Sequence, residues 1–124
     1  MLAFDVHGCT DVTGFGLIGH AREMALASGV TLEIAVDELQ FLPGAVEYAR
    51  AGAIPAGLNN NREFASCAVE LRCELPREIE DLLYDPQTSG GLLYSLPEDE
   101  AAKLTGARRI GRVLARAEKP IRLV

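Results

Sequence analysis

Apolar positions along the chain change period several times, and each change marks an element. From Gly16 to Ser28, Leu17, Ala21, Met24 and Ala25 recur at helical spacing, and Gly29 follows as a left-handed stop. Val30, Leu32, Ile34 and Val36 then alternate with Thr31, Glu33, Ala35 and Asp37, the period of a half-buried strand. Pro43 can open a short helix through Val46 and Ala49 that Gly52 closes. The stretch Pro55 to Asn61 reads as a loop, and Phe64 to Leu71 fits a helix or a strand. Pro76 begins a helix in which Ile79, Leu82 and Leu83 face inward and Arg77 can pair with Asp81. Leu92 to Leu96 reads as a strand and Pro97 to Leu104 as a helix ended by Gly106, with Ile110 to Ala115 and Ile121 to Val124 as closing strands. This order predicts an α+β domain with helices packed on a mixed β-sheet. It does not fix the strand order.

Length and charge narrow the class. With 124 residues and 48% of them apolar, the chain is one globular domain, large enough to bury about two-thirds of its unfolded surface. The net charge of −6 argues against a general nucleic-acid surface or an anionic-membrane surface. Charge is uneven, however: Lys103, Arg108, Arg109, Arg112, Arg116, Lys119 and Arg122 crowd the last segment, where Glu118 is the only acid after Ala101. No aromatic residue interleaves with them, so they read as solvated strand faces or an interdomain contact rather than a nucleic-acid patch. No apolar run approaches the roughly 20 residues of a membrane span. Met1-Leu2-Ala3-Phe4 has neither the basic start nor the long apolar stretch of a signal peptide, so a cytoplasmic location is expected. Cys9, Cys67 and Cys73 are odd in number and form no Cys-x-x-Cys pair, which suggests neither a disulfide framework nor a structural zinc site.

Two polar, glycine-rich segments carry the candidate chemistry. The first, His7-Gly8-Cys9-Thr10-Asp11-Val12-Thr13-Gly14-Phe15-Gly16-Leu17-Ile18-Gly19-His20, places Asp11 in a flexible turn beside a helix N-terminus. Glycines let a backbone approach phosphate oxygens, a first helical turn attracts anions, and a nearby carboxylate can hold Mg²⁺ between them. The spelling is neither a Walker A loop nor a dinucleotide fingerprint, and on its own it serves equally as a tight turn before a helix, with Thr10 and Thr13 as caps. The second segment, Tyr84-Asp85-Pro86-Gln87-Thr88-Ser89-Gly90-Gly91-Leu92-Leu93, sets another acid, two hydroxyls and an amide before a strand. Two such loops in one small domain suggest a shared anionic ligand. His20 borders the buried helical stripe and reads as a hydrogen-bonded structural histidine, whereas His7 lies nearer Asp11 along the chain. Cys9, two residues from both His7 and Asp11, invites a nucleophile reading.

Together these segments resemble the C-terminal domain of the selenophosphate synthetase (selenide, water dikinase) family, in the aminoimidazole-ribonucleotide synthetase-like superfamily. A third segment, Pro55-Ala56-Gly57-Leu58-Asn59-Asn60-Asn61, resembles that family's Pro-Gly-Gly-Thr-x-Arg-Asn loop, departing from it at Ala56, Leu58 and Asn60. The loss of Arg at Asn60 bears on any phosphate contact there. The resemblance implies ATP-dependent conversion of selenide to selenophosphate with AMP and phosphate, Mg²⁺ and ATP as ligands, and a homodimer at full length. It implies Asp11 as a metal ligand and Thr10, Thr13, Thr88 and Ser89 as residues lining one wall of the Mg-ATP site. No catalytic residue is assigned to this chain: the reactive Cys or selenocysteine and its Lys, with most metal carboxylates, belong to a preceding domain in that family. Residues 1–124 are thus expected to be one domain of a longer two-domain enzyme, inactive alone. A hydrogenase-maturation carbamoyl dehydratase, a thiamine-monophosphate kinase and a non-catalytic regulatory or assembly domain are the alternatives. Asp85-Pro86-Gln87-Thr88-Ser89-Gly90-Gly91, spelled in full, favours the selenophosphate enzymes over the dehydratase and the thiamine-monophosphate kinase.

Overall fold

The computed structural model describes residues 3–124; the reading of Met1 and Leu2 as no part of a signal peptide lies outside the described residues. The chain runs β1 (Gly8–Asp11), α1 (Gly16–Ser28), β2 (Val30–Ile34), α2 (Ala45–Arg50), α3 (Ala56–Ala65), β3 (Val69–Leu71), α4 (Arg77–Leu83), β4 (Leu92–Ser95), α5 (Glu98–Ala101), β5 (Gly111–Ala115) and β6 (Ile121–Leu123). Four strands form a sheet in the order β3-β6-β2-β5, parallel at β3-β6 and β6-β2 and antiparallel at β2-β5. Strands β1 and β4 form a separate antiparallel ribbon. The architecture is therefore α+β on a mixed sheet, as the apolar pattern predicts.

Helix α1 ends where its sequence says it should, with Gly29 in the left-handed region at φ 65°. Its buried stripe is Ile18, Ala21 and Ala25, flanked by half-buried Leu17 and Met24. That stripe meets Leu32, Ile34, Leu58, Leu83, Ile121 and Leu123 in one core. Strand β2 departs from simple alternation at Thr31, which is fully buried. Its hydroxyl donates to Lys119 O and accepts from the Ala117 amide, both at 2.9 Å, so the buried polar group is satisfied and the β5–β6 turn is tied to β2.

Several sequence expectations need correction. Asp11 closes strand β1 rather than lying in a turn; Gly8 to Asp11 has no apolar alternation to announce a strand, which forms because β4 supplies its partners. The stretch Pro55 to Asn61 is not a loop but the start of α3, with Leu58, Asn61 and Ala65 on its buried face. Phe64 to Leu71 resolves into the end of α3, a 3₁₀ turn and β3. Val36 begins a 3₁₀ turn instead of ending β2, and the helix expected from Pro97 to Leu104 is the single turn α5.

The basic C-terminal segment is largely absorbed by acids. Across the outer face of the sheet, cross-strand register aligns Arg112, Glu33, Arg122 and Glu70 from β5 to β3. Arg112 Nε lies 2.7 Å from Glu33, Arg122 Nε 2.8 Å from Glu70, and Arg72 Nε 2.7 Å from the same Glu70. The hydrogen bond from Arg112 to Glu33, and that from Arg122 to Glu70, hold both carboxyls below the usual glutamate value of 4.5. A carboxyl whose folded pKa is depressed contributes stability above its unfolded value and loses it as pH falls through the folded value. The urea midpoint is thus expected to drop between about pH 5 and pH 3, and to drop less in a Glu33→Gln, Glu70→Gln double variant. Identical pH profiles for the two proteins would contradict the ladder's role.

Candidate functional site

The two glycine-rich segments of the sequence meet in space. Strand β1 pairs with β4 from Gly8↔Ser95 to Asp11↔Leu92, and the pairing continues beyond both strands. The Val12 amide donates to Gly91 O at 2.9 Å, the Gly90 amide to Val12 O at 3.1 Å, and the Gln87 amide to Thr13 O at 3.0 Å. Gly90 is required for this approach: a Cβ there would lie 2.5 Å from Val12 O, closer than any side chain can come. The close contact that this glycine permits is with the first motif of the same chain.

Strand alternation sorts the neighbouring side chains. Cys9 and Asp11 lie on the exposed face of β1, while Gly8 and Thr10 turn to the other face, where Gly8 packs near Met24. Among the described residues the Asp11 carboxylate makes no ion pair or side-chain hydrogen bond. Thr88 and Ser89 are exposed in the turn that enters β4, next to the residues hydrogen-bonded to Val12. The hydroxyl of Thr10 donates to Asp11 O at 3.1 Å. Thr13 Oγ1 is 3.0 Å from His20 Nε2, and the His20 ring lies 5.6 Å from that of Phe15. Neither threonine caps α1, whose N-cap is Phe15 with no side-chain hydrogen bond, so the capping expectation is corrected. His20 is thus hydrogen-bonded, as its position suggests. His7 sits before the far end of β1, exposed and 3.3 Å from Asp5, and does not join Asp11.

Two further features escaped the sequence reading. Asn61, 8% exposed, donates from Nδ2 to Gly14 O at 2.8 Å and to Tyr84 O at 2.9 Å. Its place three residues after Leu58 and four before Ala65 was the available signal, had the segment been read as a helix. Gly16 packs directly on the Tyr84–Asp85 backbone. Burial pushes the Tyr84 hydroxyl up to about 12 and raises the half-buried Asp85 carboxyl. Asn60, by contrast, is exposed on the outer side of α3.

An exposed carboxylate is the kind of hard oxygen donor that Mg²⁺ takes. Among the described residues no three His, Cys, Asp or Glu side chains stand close enough to hold a metal together. No helix of the described residues is long and apolar enough to cross a membrane.

A family profile described as "AIR synthase related protein, C-terminal domain" matches residues 1–122. The chain belongs to that family. It is 44% identical over 128 residues to a selenide, water dikinase of Clostridium botulinum, covering 97% of this chain and 37% of that protein. Its identity to the selenide, water dikinase of Clostridioides difficile is 46% over 127 residues, 95% of this chain and 36% of the relative. With the Escherichia coli enzyme of the same name it is 49% over 107 residues, 86% and 30% respectively. The chain thus spans about a third of the length of these curated relatives. Among solved structures, the thiamine monophosphate kinase of Aquifex aeolicus superposes with a TM-score of 0.52 at 20% identity, over 95% of this chain and 31% of that one. At that identity the likeness speaks for the shared AIR synthase-like fold.

Proposed function

We propose that this chain is the C-terminal domain of a two-domain selenophosphate synthetase and forms one wall of its Mg-ATP site. The full enzyme converts ATP, selenide and water to selenophosphate, AMP and phosphate, as a cytoplasmic homodimer. The observation that carries this reading is the backbone junction of Val12 and Thr13 with Gln87, Gly90 and Gly91, which joins the segment that carries exposed Asp11 to the one that carries exposed Thr88 and Ser89. Names and identities of the curated relatives support the substrate class. Asp11 would hold Mg²⁺ together with carboxylates of the preceding domain; the ion supplies charge neutralisation during phosphoryl transfer.

Within the chain, residues position rather than react. Thr88 and Ser89 offer hydroxyl donors to phosphate oxygens beside the Asp11 carboxylate. Thr13, held by His20, presents its backbone carbonyl to Gln87 and keeps the two loops in register. Thr10 acts from the opposite face of β1, where its hydroxyl engages the Asp11 carbonyl. The full-length protein, purified and supplied with Mg-ATP, is expected to release AMP only when selenide is present. ATP consumption indifferent to selenide would overturn the substrate assignment and return the choice to the other ATP-using members of the superfamily.

A further inference from the structure

Among the described residues, Asn61 is the side chain hydrogen-bonded at once to the segment after Asp11 and to the segment before Thr88 and Ser89. It stands on the inner face of α3, and its amide divides its two hydrogens between Gly14 O and Tyr84 O. The same helix also reaches α4 and, at Gly57, the second segment again. Arg62 is paired with buried Asp81 of α4, and Gly57 leaves room for Pro86, whose Cγ would lie 3.3 Å from a Cβ at that position. Between these supports the two segments meet through the short β1–β4 ladder, the backbone hydrogen bonds of Val12, Gln87 and Gly90, and the packing of Gly16 on Tyr84 and Asp85. A strand pair this short is marginal without a rigid support.

We infer that Asn61 is a positioning residue for the Asp11 edge: it fixes the Gly14 and Tyr84 carbonyls, and through them the distance from Asp11 to Thr88 and Ser89. The inference rests on the proposed role of Asp11 at the metal. Asparagine suits the task because a neutral amide gives two donors in one plane. Alanine leaves both carbonyls without that partner, and aspartate sets a carboxylate against them. An ordinary buried asparagine would influence stability and nothing else.

The test uses the full-length enzyme with Asn61→Ala, the milder Asn61→Ser, and Thr31→Val. The last variant loses buried hydrogen bonds on β2, away from the edge. Both Asn61 variants are expected to raise the Mg²⁺ concentration for half-maximal rate by about threefold or more, with a smaller loss of kcat, since sub-ångström misplacement weakens a multidentate site. Hydrogen exchange at the amides of Val12, Gln87 and Gly90 is expected to quicken, while the amides of Leu32 and Val124, bonded to Pro120 and Ile34, keep their protection. Thr31→Val should leave the Mg²⁺ dependence within about twofold. An equal Mg²⁺ shift in Thr31→Val, or unchanged exchange at Val12, Gln87 and Gly90 in the Asn61 variants, overturns the inference. If Asn61→Ala does not fold, Asn61→Ser carries the same comparison. Asp11→Asn separates the two levels: an unaltered Mg²⁺ response there sinks the metal reading, whereas a shift in Asp11→Asn without one in the Asn61 variants sinks only the positioning role.

Discussion

Gly16→Ala is expected to lower the unfolding free energy by about 2–4 kcal/mol, the sum of a left-handed backbone cost and an overpacking cost. Gly16 has φ 72°, where a side chain is strained whatever the space around it. Space is also missing: a Cβ would lie 2.8 Å from the Tyr84 carbonyl carbon and 3.0 Å from Asp85 O. Tyr84 is 2% exposed and its carbonyl is held by Asn61, so the neighbour cannot retreat cheaply. Gly14, two residues earlier, has nothing within 4 Å of its Cβ position and no positive φ. Gly14→Ala should therefore stay within about 0.5 kcal/mol of wild type. Urea unfolding of the three proteins checks the contrast; a Gly16→Ala midpoint equal to that of Gly14→Ala would mean that the first motif does not pack on the second as described.

Gly16 also shows what the sequence could and could not reveal. Its presence in a Gly-x-Gly stretch marks a special backbone, but the reason, contact with residues almost seventy positions away, is tertiary. Elements with strong local signals were legible: α1 from its spacing and Gly29, β2 from its alternation, α4 from Pro76 and the Arg77–Asp81 pair, which closes at 3.0 Å. Those lacking such signals were not. Strand β1 is polar and glycine-bearing, and exists because β4 pairs with it. Three consecutive asparagines argued for a loop on local propensity, yet burial of Leu58 and Ala65 and the double hydrogen bond of Asn61 hold α3 in helical form. The charges of β5 and β6 were read as solvated strand faces or an interdomain contact, and the ladder with Glu33 and Glu70 supplies the pairing that single-strand patterns cannot display.

For the candidate site, the residue types were legible and their arrangement was not. Asp11, Thr88 and Ser89 stood out by composition, and their motifs prove to be hydrogen-bonded neighbours. Thr10 and Thr13 looked equivalent to them along the chain, but the pleat of β1 turns Thr10 away from Asp11 and His20 engages Thr13. His7 and Asp11 are close in sequence, yet an extended strand separates them.

Asp11→Asn offers the most direct test of the central claim, because the carboxylate makes no ion pair or side-chain hydrogen bond among the described residues and its loss should leave the fold alone, within about 0.5 kcal/mol. Asparagine keeps the shape and removes one negative charge. In the full-length enzyme the selenide-dependent rate is expected to fall by about tenfold or more, the equivalent of roughly 1.4 kcal/mol of transition-state stabilisation. The decisive measurement is the Mg²⁺ titration of that rate in wild type and Asp11→Asn. A metal-ligand role predicts a half-saturating Mg²⁺ concentration displaced upward in the variant, with part of the lost rate recovered at high Mg²⁺. Superimposable titrations and equal rates would contradict it, leaving Asp11 as the residue that ends a strand.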